Sequence, residues 1–346
     1  MTPERCAPTL KKVRTQLGAR CGCALLGALV FAACGGEARS GSAGASGSAG
    51  AAGNLGASGS TGQAGAGNQP QALSDSAEWP MPNSAALGLP NPARYDGATT
   101  EGVVHDLVTG LDWLQDPGVE LDTRADALRH CDELSFAGMN DWRAPAFIEL
   151  VSLFDVVPND ADPAVPLYIA PIFAAQGRFW STSPVNGSGL GRLLDFTADG
   201  CGASQSCSIG VSAKEDSALG GAFCVRSSQP PATSTRYRTS GDEVNDQRTG
   251  LTWQNVPAAV ETASYADAVN ACAALGNGAR LPSINELLSI LVPVLDTKAF
   301  PNWPSNAFAW SSSTIPAKPD SYWAGAITGA TEAAPATGRN RVECVH

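Results

Sequence analysis

Four side chains that carry oxygen lie close together between positions 155 and 162: Asp155, Asn159, Asp160 and Asp162. Carboxylate and amide oxygens are the ligands that Ca²⁺ prefers, about six to eight at a time. The alternative is a solvated acidic turn among prolines. The segment also lacks the Glu-Pro-Asn or Gln-Pro-Asp triplet of calcium-dependent sugar-binding lectins. We therefore expect no cofactor, with calcium as the one candidate ion at these residues.

Aromatic side chains in two loops and in one predicted strand could bind a ligand by stacking. An indole or phenol ring offers a flat apolar face and a polar edge, which suits the face of a sugar ring. The alternative for Trp303 is a partly buried anchor of its loop. The candidate ligand-binding residues are Trp303 with its neighbours Asn302 and Asn306, the pair Tyr322 and Trp323, and Tyr168.

The elements that would position these residues are encoded twice. Five short blocks recur in the same order, and insertions fall only between them: 106–113 with 246–253, 124–131 with 265–272, 142–150 with 279–287, 180–183 with 310–313, and 223–225 with 343–345. The spacing of apolar residues predicts a helix in the second block and another after Pro145. Ser283 and Glu286 form the capping-box pattern at the start of that second helix in the later repeat. Four tryptophans recur inside the blocks, which favours packing over ligand binding.

The cysteines after Cys34 fit the same repetition. The equivalent positions pair Cys131 with Cys224 and Cys272 with Cys344, and leave Cys201 and Cys207 to close a local loop. Six cysteines permit fifteen pairings, so the predicted pairing rests on the equivalence of the repeats and not on the even number of cysteines. Exported proteins meet oxidising conditions, where disulfides are the usual state of such cysteines.

Two further classes of function are disfavoured by composition and motifs. The net charge of −11 argues against binding nucleic acid, which needs clustered basic residues. No nucleophile elbow, zinc-protease helix or phosphate loop occurs, and the three histidines have no metal-ligand spacing. Arg143 and Arg280 could contact an anionic ligand, or could hold the loop before the second helix through Glu149 or Glu286.

The start of the chain is typical of an export signal. A basic segment precedes an apolar run that ends in Phe-Ala-Ala before Cys34, which resembles a bacterial lipobox. The alternative is a plain secretory signal with an incidental cysteine. We expect a lipoprotein signal peptide over 1–34, lipidation of Cys34, attachment to the outer membrane, and display toward the surface or the periplasm. Residues 35–90, rich in Gly, Ala and Ser, are expected to form a disordered linker.

The order of the blocks resembles the Lcl C-terminal domain family. The resemblance rests on Thr-Gly-Leu-x-Trp, Ala-x-x-x-Cys, Trp-Arg-x-Pro-x-x-x-Glu-Leu, Trp-Ser-x-Ser and a terminal Cys-Val. It implies an α+β fold of two tandem C-type-lectin-like domains, 91–228 and 237–346, joined by a linker at 229–236. Each domain would place two helices beside a small, mostly antiparallel sheet. Some relatives are surface adhesins that bind sulfated polysaccharides.

The charge of the exported part weakens that last implication. Residues 1–34 hold five of the 22 basic residues and one of the 33 acidic ones, so the remainder is near −15. A polyanion needs a basic surface. We expect a noncatalytic envelope protein that binds a carbohydrate or protein ligand. The alternatives are an enzyme on a lectin-like scaffold, as in formylglycine-generating enzymes with their reactive cysteines, and a purely structural protein.

Overall fold

The computed structural model describes the chain from Ala77 onward with several gaps. The described residues are 77–97, 100–118, 122–157, 159, 167–185, 190–197, 212–227, 235–254, 262–291, 299–301, 307–315, 318–326 and 330–346. The helices are α1 (Arg124–Asp132), α2 (Phe147–Ser152), α3 (Tyr265–Ala274) and α4 (Ile284–Leu291), preceded by a 3-10 turn at Ala85–Leu87. Within these residues, no helix has the length and apolar character needed to cross a membrane.

Strands make up the rest of both repeats. The strands of the first repeat are β1 (Tyr95–Asp96), β2 (Val103–Asp106), β3 (Leu111–Leu114), β4 (Arg178–Val185), β5 (Leu190–Asp195), β6 (Ser212–Lys214) and β7 (Val225–Ser227). The strands of the second are β8 (Tyr237–Ser240), β9 (Glu243–Asp246), β10 (Thr252–Gln254), β11 (Thr262–Ala263), β12 (Phe308–Thr314), β13 (Ser321–Ala326), β14 (Thr331–Pro335), β15 (Asn340–Arg341) and β16 (Cys344–Val345). The α+β class predicted from the sequence is confirmed.

Each repeat contains one sheet made from its first strands and its last strand. The order is β1-β2-β3-β7 in the first repeat and β8-β9-β10-β16 in the second, and all neighbours are antiparallel. A buried aspartate, Asp106 or Asp246, ends the second strand and accepts backbone N–H groups in the turn that follows. The Thr-Gly turn then leads into the strand with the buried Trp113 or Trp253.

A second sheet in each repeat carries the Trp-Ser-x-Ser block. It is β4-β5-β6 in the first repeat and β11-β15-β12-β13-β14 in the second. The outer pair β11 and β15 has a reduced counterpart in the first repeat. There, single bridges join Asp122 to Gly220 and Phe179 to Gly221. The two repeats therefore share one strand topology, and single bridges of the first repeat correspond to paired strands in the second.

The helices form where the apolar periodicity predicts them. Thr123 caps α1 and Ser264 caps α3, and each side chain accepts the backbone N–H three residues ahead. This satisfies one of the free donors of the first turn. At α4 the predicted capping box is present, since Ser283 Oγ accepts the N–H of Glu286 at 3.0 Å and the Glu286 carboxylate accepts that of Ser283 at 2.7 Å.

The two repeats share one hydrophobic core. Helices α2 and α4 pack against each other, and side chains of both, including Ile148 and Leu288, belong to a single buried cluster. Asn285 of α4 donates to the carbonyl oxygen of Phe154 in the first repeat at 2.9 Å. The equivalent position in α2 is the apolar Ile148. The Asn285 side chain of the second repeat is thus hydrogen-bonded directly to the backbone of the first repeat.

The segment before the first repeat is packed, which corrects the linker predicted to extend to residue 90. Ala77 and Met81 lie in the shared core with at most 1% exposed area. Asn285 donates to the carbonyl oxygen of Pro82 at 3.0 Å, and Asn83 donates to Glu286 at 3.2 Å. Residues 77–83 therefore contact the second repeat before the chain enters the first. At the other predicted linker, Arg236 pairs with buried Asp246 at 2.8 Å and belongs to the second repeat.

Candidate functional site

Two disulfides belong to the frame of the candidate site, our name for the disulfides, arginine–glutamate pairs and Trp-Ser-x-Ser blocks that recur in both repeats. Cys131 bonds to Cys224 and Cys272 to Cys344, as the repeat equivalence predicts, and all four cysteines are fully buried. Each bond ties the first helix of a repeat to its last strand. The predicted pair Cys201 and Cys207 lies outside the described residues.

The repeated arginine and glutamate form a clamp in each unit. Arg143 donates two hydrogen bonds of 2.7 Å to Glu149, and Arg280 donates two of 2.8 Å to Glu286. The same carboxylates accept a backbone N–H at the helix start at 2.7 Å. Both glutamates are buried, so these groups are committed to the loop before the helix. The prediction that the arginines hold this loop is confirmed.

The repeated Trp-Ser-x-Ser block is structural in the same way. Trp180 and Trp310 have at most 1% exposed area, and their indole N–H groups donate to backbone carbonyls. The last serine of the block, Ser183 or Ser313, accepts the first N–H of the neighbouring helix at 2.9 or 3.0 Å. A hydroxyl from a distant strand thus caps α2 and α4. The prediction that these tryptophans are core residues is confirmed.

The calcium candidates are only partly described. Asp155 is half-buried, and its carboxylate accepts the N–H of Val157 at 2.9 Å. Burial raises the pKa of Asp155, against the lowering effect of that hydrogen bond. Asn159 forms a backbone bridge with Leu167. Asp160 and Asp162 lie outside the described residues. No group of three acidic, His or Cys side chains able to hold a metal occurs in the described part of the chain. Calcium binding at this segment stays a prediction.

Two of the predicted ligand-binding residues are core residues. Tyr168 is 6% exposed and stacks on Phe154, with ring centroids 5.7 Å apart. Trp323 is 3% exposed and packs in the shared core. Successive side chains of a strand point to opposite faces, so Tyr322 and Trp323 cannot line one surface. The predictions for Tyr168 and Trp323 are therefore wrong. Trp303, Asn302 and Asn306 lie outside the described residues.

Tyr322, by contrast, stands at the surface together with a residue that the sequence did not reveal. Its ring stacks on that of Tyr265, with centroids 3.3 Å apart and planes 10° from parallel. Both tyrosines are half-buried and stand edge-on to Trp310, at 5.6 and 6.5 Å. Burial and the neighbouring Tyr322 raise the pKa of Tyr265 to about 12, so the Tyr265 phenol is neutral at physiological pH. The two rings form an aromatic surface, which we call the tyrosine pair.

Acidic residues lie close in sequence or strand register to Tyr322. Asp320 is exposed two positions before Tyr322. Glu332 lies on the same face of the sheet as Tyr322, because it pairs with Ala324, two residues along β13. Burial raises the pKa of Glu332.

The first repeat has no such aromatic surface at the same place. The strand position of Tyr322 is occupied by Gly191, and the helix position of Tyr265 by Arg124. Arg124 donates to the carbonyl oxygens of Ser181 and Thr182, and its side chain covers Gly191 so closely that a Cβ there would lie 2.4 Å from Arg124 Cδ. The frame is thus the same in both units, and the surface that it presents differs.

The comparisons with known proteins identify one sequence family. The model of the Lcl C-terminal domain matches residues 102–208 and, a second time, residues 242–346. These two matches cover more than half of the chain, and one lies within each structural repeat. A search of curated proteins finds none that matches the chain.

Proposed function

Because the chain belongs to the Lcl C-terminal domain family and carries that domain twice in tandem, we propose that it is a noncatalytic binding protein of the bacterial cell envelope, with a carbohydrate ligand. One observation carries the proposal: the tyrosine pair stands at the surface of a frame that the repeated residues hold rigid. A C-type-lectin-like arrangement, in which a constant scaffold presents variable surfaces, is part of the same proposal.

The use of the repeated side chains supports a noncatalytic role. Cys224 and Cys344, the thiols that a formylglycine-generating type of enzyme would need, are both in disulfides. The two repeated arginines and glutamates are paired with each other. The disulfides and the arginine–glutamate pairs stabilise loops and strand ends, which is a structural role.

The chemistry of the tyrosine pair supports an uncharged saccharide. Tyrosine rings give a large, stiff contact area at low entropic cost, since only two torsions are fixed on binding. The carboxylate of Asp320, two positions before Tyr322, can accept hydrogen bonds from sugar hydroxyls. It would repel sulfate groups, as would the net charge of the whole chain, −11. A neutral glycan therefore fits this surface better than a sulfated one.

The cellular location of the protein is a separate part of the proposal. The basic start, the short apolar run and Cys34 support export and lipidation, with attachment to the outer membrane. Labelling cells with radioactive palmitate tests it, and a Cys34→Ala variant that is still labelled would contradict it.

Binding to a glycan array tests the ligand. The purified protein should bind neutral saccharides more strongly than sulfated ones. Tyr322→Ala should weaken binding by at least about tenfold, or about 1.4 kcal/mol. Tyr322→Phe keeps the ring and should retain most of the affinity. Leu219→Ala removes an apolar side chain of the first repeat that is 46% exposed, and serves as the matched control.

Two results would contradict this proposal. The first is equal loss of binding in Tyr322→Ala and Leu219→Ala, which would place the ligand elsewhere. The second is absence of binding across neutral, sulfated and protein ligands by a protein whose disulfides and thermal unfolding are normal. That outcome would favour the purely structural role.

A further inference from the structure

A groove with an apolar floor and an acidic rim lies beside helix α1 in the first repeat. It consists of two adjoining depressions of about 560 and 410 Å³ that share Asp122, His130 and Leu134 among their lining residues. Leu114 and Leu134 contribute apolar surface, and the ring of Phe136 forms one wall. A groove of this size is typical of sites that bind a side chain or a small ligand.

The ring of Phe136 is 38% exposed and is held in place from several sides. The backbone of Phe136 exchanges two hydrogen bonds with Met139, of 3.0 and 2.9 Å, across a tight turn. Trp142 donates its indole N–H to the carbonyl oxygen of Phe136 at 3.3 Å and contacts the ring edge-on. The ring also lies against Gly102, where a Cβ would come within 2.7 Å of it. The wall is therefore rigid before any ligand arrives.

The rim of the groove carries an excess of negative charge. Among the described lining residues, four carboxylates stand against one guanidinium: Asp116, Asp122, Asp126 and Glu133 against Arg129. Arg129 is shared between Asp126 at 3.0 Å and Glu133 at 3.3 Å. One positive and four negative groups leave a formal charge of −3, to which Asp126 and Glu133 still contribute beside Asp116 and Asp122.

We propose that this groove binds arginine or lysine side chains from a basic segment of a protein partner. Such side chains combine an apolar stem with a cationic head, so the stem can lie on the leucines while the head reaches the carboxylates. A guanidinium or ammonium group over the face of Phe136 gains a further cation–π attraction. The acidic charge of the chain would accelerate the encounter with a basic partner. The proposal is independent of the saccharide proposed for the second repeat.

The second repeat lacks several parts of the groove, although Asp267 and Leu275 stand at the positions of Asp126 and Leu134. Ala263 stands at the position of Asp122, and Asn270 and Ala274 stand at the positions of Arg129 and Glu133. The turn of Phe136 has no counterpart, since Trp142 follows Cys131 by 11 positions and Ala279 follows Cys272 by only 7. The second repeat therefore provides a matched control within the same molecule.

Fluorescence anisotropy with short labelled peptides tests the proposal. The probes are Gly-Arg-Arg-Gly, the same peptide with citrulline for arginine, and Gly-Glu-Glu-Gly. We expect the arginine peptide to bind the protein at least about tenfold more tightly than the citrulline peptide at low salt, and the difference to shrink as salt rises. Phe136→Ala and Asp122→Asn should each weaken binding by about threefold, as expected for partly exposed contacts.

Two equivalent aspartates give the decisive control. Asp126 and Asp267 each accept a hydrogen bond from the capping hydroxyl of their helix, but only Asp126 lines the groove. Asp126→Asn should weaken peptide binding, and Asp267→Asn should not. Equal effects of the two variants, or equal affinity for the arginine and citrulline peptides, would overturn the proposal. Binding of a neutral oligosaccharide that competes for Phe136 without a charge preference would overturn it as well.

Discussion

Replacing Glu286 by glutamine tests the clamp that holds the loop before α4. The Glu286 side chain is 1% exposed and that of Arg280 is 23% exposed, and two hydrogen bonds of 2.8 Å join them. Glutamine keeps one acceptor oxygen but removes the charge and turns an amide N–H₂ toward the guanidinium. Removing one partner of a buried pair costs about 3–5 kcal/mol. Because Arg280 reaches solvent, we expect the lower end, about 3 kcal/mol.

The same substitution in the first repeat should cost less. Glu149 makes the equivalent bonds to Arg143, whereas Glu286 also accepts from Asn83. We expect Glu149→Gln to cost about 1 kcal/mol less than Glu286→Gln, the value of one hydrogen bond.

Differential scanning calorimetry measures both effects. For a folded part of this size, about 3 kcal/mol corresponds to a fall in Tm of about 6–12 °C. In a double-mutant cycle with Arg280→Gln, the double variant should lose less stability than the sum of the two single losses, by more than about 1 kcal/mol. A loss below about 1 kcal/mol for Glu286→Gln, or a coupling energy near zero, would refute the view that the clamp stabilises this loop.

Four further substitutions test other parts of the structure. Asn285→Ala leaves two buried carbonyls without their donor, so it should cost about 2–4 kcal/mol and separate the two repeats into two calorimetric transitions; a single unshifted transition would contradict this. Asp246→Asn removes the buried partner of the Arg236 ion pair and should cost about 2–3 kcal/mol, whereas Asp106→Asn, at the same place in the first repeat, should cost less than about 1 kcal/mol; equal losses in urea unfolding would disprove the difference. Burial raises the pKa of Glu343 from 4.5 to about 7, so the folded state binds the proton more tightly and stability should fall as pH rises from about 4.5 to 7. Glu343→Gln should flatten this dependence between pH 5 and 8, and an unchanged slope would rule out Glu343 as its source.

The frame could be predicted from the sequence because duplication shows it twice. The cysteines of the two described disulfides, the clamp residues and the tryptophans of the repeated blocks stand at the same places in both units, and a repeated position indicates packing. The helices followed from apolar spacing, and the capping box of α4 from Ser283 and Glu286. These features depend on the local sequence and on equivalent positions in the two repeats, and both are visible in the amino-acid sequence alone.

The candidate surfaces were harder to predict, because they are the parts that the repeats do not share. Tyr265 stands where the first repeat has Arg124, so nothing in the alignment marked it as the partner of Tyr322. Its position next to Tyr322 predicts a surface role for Trp323, but strand alternation turns the Trp323 side chain toward the core. Residues 77–83 have no copy in the chain, and their contacts with α4 depend on two asparagines far apart in sequence.

The packing of residues 77–83 has a mechanical consequence for a protein held by its N-terminal side. A pull on the chain before Ala77 would act on a segment bonded to α4 through Pro82 and Asn83. The load would therefore pass into the junction of both repeats, instead of peeling one edge strand from one sheet. The far end of the chain is secured separately, because Cys344 bonds β16 to α3. Such an arrangement shares tension between the two units and should raise the force needed to open either of them.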